Sequence, residues 1–301
     1  MQFLKRETHF DFIGKQNLFI LISLAFIAAS IAVFAVQGLK FGIDFAGGTE
    51  LYLQFKDPIT SAEIRKLLTQ KGFKDTMVQH FGEEAAHEYL IRLERSTGSL
   101  KLVTEDIENV FVQARGKDAF TVRKIEMVGP KVGGDLKKRG AWAFFYSLLG
   151  ILIYVAIRFD YRFSPGGVIA LIHDVIITLG LFAFFGKKFD LNTLAAILTL
   201  VGYSINDTIV IFDRIRENLK KYEGMDVAQL INKSVNETLS RTILTSLTVF
   251  IVVAVLFILG GEVIHDFAFV LMVGVVVGSY STIFIASPIF LYLHNKRFEK
   301  S

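Results

Sequence analysis

The 301-residue chain has no cysteine. There is therefore no disulfide, no thioether-bound haem and no thiolate nucleophile or ligand, although this absence says nothing of the redox compartment. Other signatures are missing too. Neither Gly-x-Ser-x-Gly nor His-Glu-x-x-His occurs, so no nucleophile elbow or helical zinc pair marks an enzyme. Segment 37–139 carries no His/Asp cluster at metal spacing and no glycine loop able to cradle a phosphate. No cofactor or metal is expected, and the chain does not read as an enzyme.

Charge is also scarce over long stretches. The chain is 52% hydrophobic with 29 phenylalanines, and its mean hydropathy is +0.47. Soluble domains are about 45–50% apolar even with glycine counted, so this chain is too apolar to be one. Its net charge of +4 does not indicate nucleic acid, because the basic residues cluster beside apolar runs and so read as membrane-orienting. Leu18–Val36 is charge-free and long enough to cross hydrocarbon. A cleaved signal peptide is one reading of it. Its length and the spans that follow favour an uncleaved first helix. Five more runs follow: 140–157, 163–186 interrupted by His173-Asp174, 191–206, 242–261 and 267–293.

The expected architecture is a six-helix transmembrane bundle, all-α, divided as 18–36 and 140–293. Segments 1–17, 158–162, 213–241 and 294–301 carry fourteen Lys and Arg, against Lys187 and Lys188 in the short loops opposite. The positive-inside rule then puts both termini, 1–17 and 294–301, in the cytoplasm, and the loop 213–241 with them. Segment 37–139 lies outside. Within 213–241, Val227, Leu230, Ile231 and Val235 recur at helical spacing, which describes either a short amphipathic helix on the inner surface or a solvated charged hairpin. In the last span, Gly274 and Gly278 form a small-xxx-small pair that suits close helix packing.

Segment 37–139 has soluble patterning. Thr49, Leu51, Leu53 and Phe55 alternate with Glu50, Tyr52 and Gln54, as in a half-buried strand. Thr60-Ser-Ala-Glu63 is a capping box before Ile64, Leu67 and Leu68, with Gly72 as the stop. Strands are expected over Met77–Phe81, around Tyr89, Ile91 and Leu93, and over Phe120–Val128. A helix is expected from Thr104, carrying Ile107, Val110 and Phe111 and closing near Gly116. The β-α-β-β-α-β order describes an inserted α+β ferredoxin-like domain. Tyr52 and Phe55 read as core residues or as contacts for an unfolded chain, with core favoured.

Three ionisable groups fall within or beside the apolar runs. Asp207 sits in Gly202–Phe212 among Ser204, Asn206 and Thr208; Asp174 follows His173; Arg241 opens the fifth span before Thr242, Thr245 and Ser246. A charge in a bilayer costs roughly 3 kcal/mol or more, so such residues are functional candidates by default. Asp207 at headgroup level, or capping a helix, is the plainer reading. Spans four and five meet on the cytoplasmic side, so Asp207 and Arg241 are expected at similar depth. Their pairing is either a static bridge or a titrating carboxylate gated by a permanent cation.

Four motifs carry a resemblance: Phe41-Gly-Ile-Asp-Phe-Ala-Gly-Gly-Thr-Glu50 with Gly42, Asp44, Gly47 and Gly48; Met127–Gly134; Gly202–Asn218; and Thr238–Ser246. The chain resembles the SecD/SecF protein-export family, within the resistance-nodulation-division superfamily. The resemblance implies one six-helix half of a pseudo-symmetric transporter in the cytoplasmic (inner) membrane, with SecD as the complementary half. It also implies the SecYEG channel, the SecA motor and unfolded preprotein as partners. Asp207 and Arg241 would serve proton use, with the proton-motive force moving the outside domain; Asp174 also resembles a family feature and is a further relay candidate. A small-molecule or lipid exporter of the same superfamily and a static assembly factor of the export channel are the competing readings.

Overall fold

The computed structural model describes residues 8–73, 76–81, 86–93, 100–159 and 163–298. Lys5, Arg6, Arg162 and Lys300, which contribute to the charge bias, lie outside the described residues. The chain divides into two compact units. One comprises Met1–Lys40, Trp142–Lys187 and Asn192–Ser301, the other Phe41–Ala141 with Lys188–Leu191.

Six helical stretches are long and apolar enough to cross a membrane. With helices numbered in chain order, they are α1 (Gln16–Gln37), α5 (Pro130–Arg158), α6 (Ser164–Phe184), α7 (Leu191–Lys221), α8 (Val227–Leu259) and a last run. The last run joins α9 (Gly261–Ser281) to α10 (Ser287–Phe298) through a π-helical turn at Thr282–Ala286. Leu21, Phe26 and Ile31 of α1 and Ile251, Val252 and Ile258 of α8 are exposed. Exposed apolar side chains on a helix suit lipid and would be costly in water.

Helix α6 is the most enclosed, burying Ala170, Leu171, Asp174, Ile177 and Phe182. Glycines let its neighbours close in. A Cβ at Gly180 would clash with Ser30 of α1, and one at Gly166 would lie 2.7 Å from the Ala286 carbonyl oxygen. Gly274 and Gly278 face Leu200 and Ser204 of α7, so the small-xxx-small pair does mark a packed helix interface.

The loop expected between the fourth and fifth spans is shorter than 213–241. Helix α7 continues to Lys221, Gly224 turns the chain with a φ of 85°, and Asp226 caps α8 by accepting the Gln229 N–H at 3.1 Å. Leu230, Ile231 and Val235 are buried, but they belong to the same unbroken helix as the fifth span. Neither a separate surface helix nor a solvated hairpin is present. No glycine or proline interrupts Val235–Thr242, and the Ser234 and Thr238 hydroxyls bond back to carbonyls one turn earlier, so nothing ends the helix there.

The soluble unit is built on β2 (Gly48–Phe55), α3 (Ser61–Gln70), β3 (Thr76–Phe81), β4 (Glu88–Leu93), α4 (Leu100–Arg115) and β5 (Phe120–Val128). The strands form one sheet in the order β3-β4-β2-β5, every neighbouring pair antiparallel. Register sets Leu51 beside Ile91 and Leu53 beside Tyr89, which puts one face of the sheet into a core with Phe55, Ile64, Leu68, Ile107 and Phe111. The capping box forms as expected: the Glu63 N–H donates to Thr60 Oγ1 at 3.2 Å, and the Thr60 N–H to Glu63 Oε2 at 3.0 Å. The Thr60 N–H, with the Thr60 hydroxyl beside it, holds the Glu63 carboxyl below its usual range. Helix α4 includes Leu100–Arg115, so it is already formed before Thr104. Phe55 packs in the core, whereas Tyr52 lies half-buried on the opposite face.

Candidate functional site

Asp174 is fully buried in α6. Its Oδ1 lies 2.9 Å from His173 Nδ1, and its Oδ2 accepts from Ser204 Oγ of α7 at 2.6 Å and Ser281 Oγ of α9 at 2.9 Å. His173 is buried too, its ring parallel to that of Tyr280 at 6.1 Å, and its Nε2 makes no hydrogen bond. The carboxylate therefore joins three helices through short polar side chains, the bonding that close-packed membrane helices permit. Gly278 keeps room for it, since a Cβ there would lie 3.1 Å from Ser204 Oγ and 3.6 Å from Asp174 Oδ2.

Asp207 is 2% exposed on α7 and accepts from Ser246 Oγ of α8 at 3.2 Å. Ser246 Oγ in turn accepts from Tyr203 Oη at 3.1 Å and lies 2.6 Å from Ser279 Oγ of α9. A serine has one proton to give. With Ser246 donating to Asp207, the chain runs from Tyr203 or Ser279 through Ser246 to the carboxylate.

The polar residues around Asp207 separate by helical phase. Ser204 serves Asp174. Thr208 Oγ1 meets Thr282 Oγ1 of the π turn at 3.1 Å, and Asn206 points outward. Arg241 is exposed, and no ion pair among the described residues includes it. The expected Asp207–Arg241 pair is thus not made in this structure. Ser246, five residues after Arg241, faces Asp207, and at 3.6 residues per turn that turns Arg241 about 140° away. Sequence reasoning did not single out Ser246, Ser279, Ser281, Tyr203 and Thr282 as site residues. The run Ser279-Tyr280-Ser281-Thr282 inside an apolar span was the signal that could have found three of them.

The signature glycines gather elsewhere, in the soluble unit. After strand β1 (Lys40–Phe41), Gly42 leads into a single-turn helix, α2 (Ile43–Ala46), closed by Gly47 and Gly48 at φ of 79° and 146°. The segment before α7, containing strand β6 (Lys188–Phe189), lies against this turn. The Gly42 N–H donates to the Phe189 carbonyl at 2.8 Å, Phe189 stacks on Phe45 with centroids 5.5 Å apart, and Asp44 Oδ2 accepts the Leu191 N–H at 3.0 Å. Gly133, from the second motif, also backs onto it: a Cβ there would lie 3.0 Å from the Phe45 carbonyl oxygen.

Residues 108–296 match the family profile described as protein export membrane protein SecD/SecF, C-terminal, and residues 32–59 match the SecD/SecF GG motif. The chain belongs to the SecD/SecF protein-export family. Proteins named protein translocase subunit SecF from Desulfurispirillum indicum and Calditerrivibrio nitroreducens are 45% and 42% identical to it. The alignments cover 95% and 99% of this chain, and 92% and 98% of those relatives. The crystal structure of SecDF, a translocon-associated membrane protein from Thermus thermophilus, superposes with a TM-score of 0.83 at 36% identity. That match covers 96% of this chain and 39% of the SecDF chain, so this chain corresponds to well under half of that protein.

Proposed function

We propose that this chain is the SecF-type half of a Sec preprotein translocase accessory complex. It pairs with a SecD half in the cytoplasmic membrane, both termini inside, and uses the proton-motive force to promote late export through SecYEG after SecA. The soluble unit reads as a ferredoxin-like domain on the outer side, supported by its β-α-β-β-α-β order and by a sheet with the first and third strands in the centre. There it would handle emerging, unfolded preprotein.

The observation that carries this reading is the pair of buried carboxylates, Asp174 and Asp207, held only by hydroxyls and one imidazole inside a membrane bundle. Among the described residues no buried cation pairs with Asp207, and Arg241 acts on it only through its field, so in this reading neutralisation falls to a proton. As a carboxylate, Asp207 accepts from Ser246. Once protonated it becomes a donor, and the Ser246 proton turns toward Ser279 instead. One proton thus reverses the direction of a hydrogen-bond chain across α7, α8 and α9, the helices that would move. Arg241, charged in every state and exposed, would be the residue that meets the partner half. A proton crossing 100 mV supplies about 2.3 kcal/mol, enough to bias a two-state movement of modest cost.

The test is Asp207→Asn, which keeps the shape and hydrogen bonding of the side chain and removes its titration. Normal assembly with loss of gradient-driven preprotein release is the expected result. Full retention of the gradient response would leave Asp207 a structural polar group and favour a proton-independent assembly role.

A further inference from the structure

Helix α7 carries Asp207 and Ser204, yet it is not one of the helices joined in sequence to segment 41–141. That segment is entered from α1 and left through α5, and neither of these holds a buried carboxylate. Helix α7 is reached instead from α6, through residues 185–190. Fully extended, six residues span roughly 20 Å, enough slack to let α7 and the soluble unit move independently. The slack is taken up. Phe189 is stacked on Phe45, the Phe189 carbonyl accepts from Gly42, and the first N–H of α7 itself, on Leu191, is held by the Asp44 carboxylate. That N–H has no partner within its helix, and the N-terminal end of a helix dipole favours a negative charge.

We infer that Asp44, with the Gly42–Phe45 turn around it, is a clasp that keeps the start of α7 fastened to the soluble unit. It stays shut through the working cycle, so that a displacement of the carboxylate-bearing helix is delivered to the domain that handles preprotein. The inference rests on the proton-driven reading above. It gives the signature residues a mechanical task. Gly42 lets the two segments close in, since Asp190 Cβ lies 3.1 Å from where its Cβ would sit; Gly47 and Gly48 close the turn; Asp44 is a positioning residue acting through α7.

The experiment uses the full chain assembled with its partner half in membrane vesicles, and measures preprotein release with and without a proton gradient. Asp44→Ala and, separately, Phe189→Ala are expected to cut the gradient-driven part at least fivefold, the loss confined to that part, with co-purification of the partner half retained. The closeness of positions 42 and 190 also offers a lock. The φ of −71° at Gly42 suits any residue, a disulfide needs its Cβ atoms about 3.8 Å apart, and the chain has no cysteine to compete. In the Asp44→Ala background, Gly42→Cys with Asp190→Cys should recover most of the driven release when oxidised and lose it again when reduced. Without Asp44→Ala, the oxidised cysteine pair should perform at least as well as its reduced form.

Parental release from both Asp44→Ala and Phe189→Ala would overturn the clasp. So would an oxidised lock that stops export, since the clasp would then have to open during the cycle. Should Asp44→Ala fail to accumulate, the locked chain with Asp44 intact still decides the matter. Asp207→Asn in the same vesicles separates the two ideas. If it is inert, the proton reading fails; if it abolishes driven release while Asp44→Ala does nothing, only the clasp fails.

Discussion

The two units of this protein bury different things. The soluble unit closes an apolar core of Leu51, Leu53, Phe55, Ile64, Ile91, Ile107 and Phe111 between a sheet and two helices. The helix bundle turns much of its apolar surface outward and buries serines, threonines, two histidines and two aspartates. Water accounts for the first arrangement, since removing apolar area from it is worth about 25 cal/mol per Å². Lipid offers no such gain, so the bundle is held by close packing at Gly180, Gly274 and Gly278 and by polar bonds between helices. The soluble unit buries an apolar core, whereas the bundle centre buries ionisable and hydroxyl groups.

The largest effect that follows is in the soluble unit. Phe55 is 2% exposed and meets Tyr89 and Phe111 with centroids 5.8 and 5.4 Å away. Phe55→Ala should cost about 3–5 kcal/mol there. Pulse proteolysis of the membrane-embedded chain in urea should show the soluble unit cleaved at lower urea while the bundle stays protected. Equal loss of protection in both units would mean that they unfold together, and the comparison would lose its basis.

A smaller effect comes from a charged pair that the sheet largely encloses. Glu50 and Arg92 are bonded on the face opposite the core, and burial pushes the Glu50 carboxyl up against the pull of Arg92. The Tyr52 phenol beside them is pushed up to about 12, by burial and by the carboxylate. A carboxyl raised by folding binds its proton more tightly in the folded state. Its favourable contribution is therefore present at low pH and lost as the pH rises through the folded value. Arg92→Met removes the opposing pull and enlarges this dependence. It should cost about 2 kcal/mol at neutral pH and much less below about pH 4. A penalty that did not vary with pH would show that Arg92 acts by packing alone.

Much of this architecture was legible because each environment writes a simple pattern. Period-two alternation gave away β2 and β4, the capping box gave α3, and charge-free runs gave the six spans. What was not legible was helical phase within the membrane. On a soluble helix the apolar stripe shows which face looks inward, but α8 is apolar almost all round, so Arg241 and Ser246 were equally eligible to face Asp207. Their 140° separation reverses the expected pairing. The π turn at Thr282–Ala286, which sets Thr282 against Thr208, has no composition of its own to announce it. The signature glycines were visible as a motif, but their partner segment, 188–191, lies about 140 residues further along the chain and has no pattern that points back to them.

The smallest expected effect tests the bundle side of the comparison. Ser281 is one of three groups bonded to Asp174, so Ser281→Ala leaves the carboxyl with His173 and Ser204. Interhelical hydrogen bonds in membranes average about 0.6 kcal/mol, because the separated helices also find partners, and the loss here should be about 1 kcal/mol. Unfolding of the reconstituted chain in increasing denaturing detergent measures it. A cost near that of Phe55→Ala would mean that the bundle depends on its polar centre as the soluble unit depends on its apolar one. Asp174 would then be a structural keystone, and the relay would be left to Asp207. A cost near 1 kcal/mol leaves Asp174 weakly held by three replaceable bonds, which is what the proposed proton exchange at this group would require.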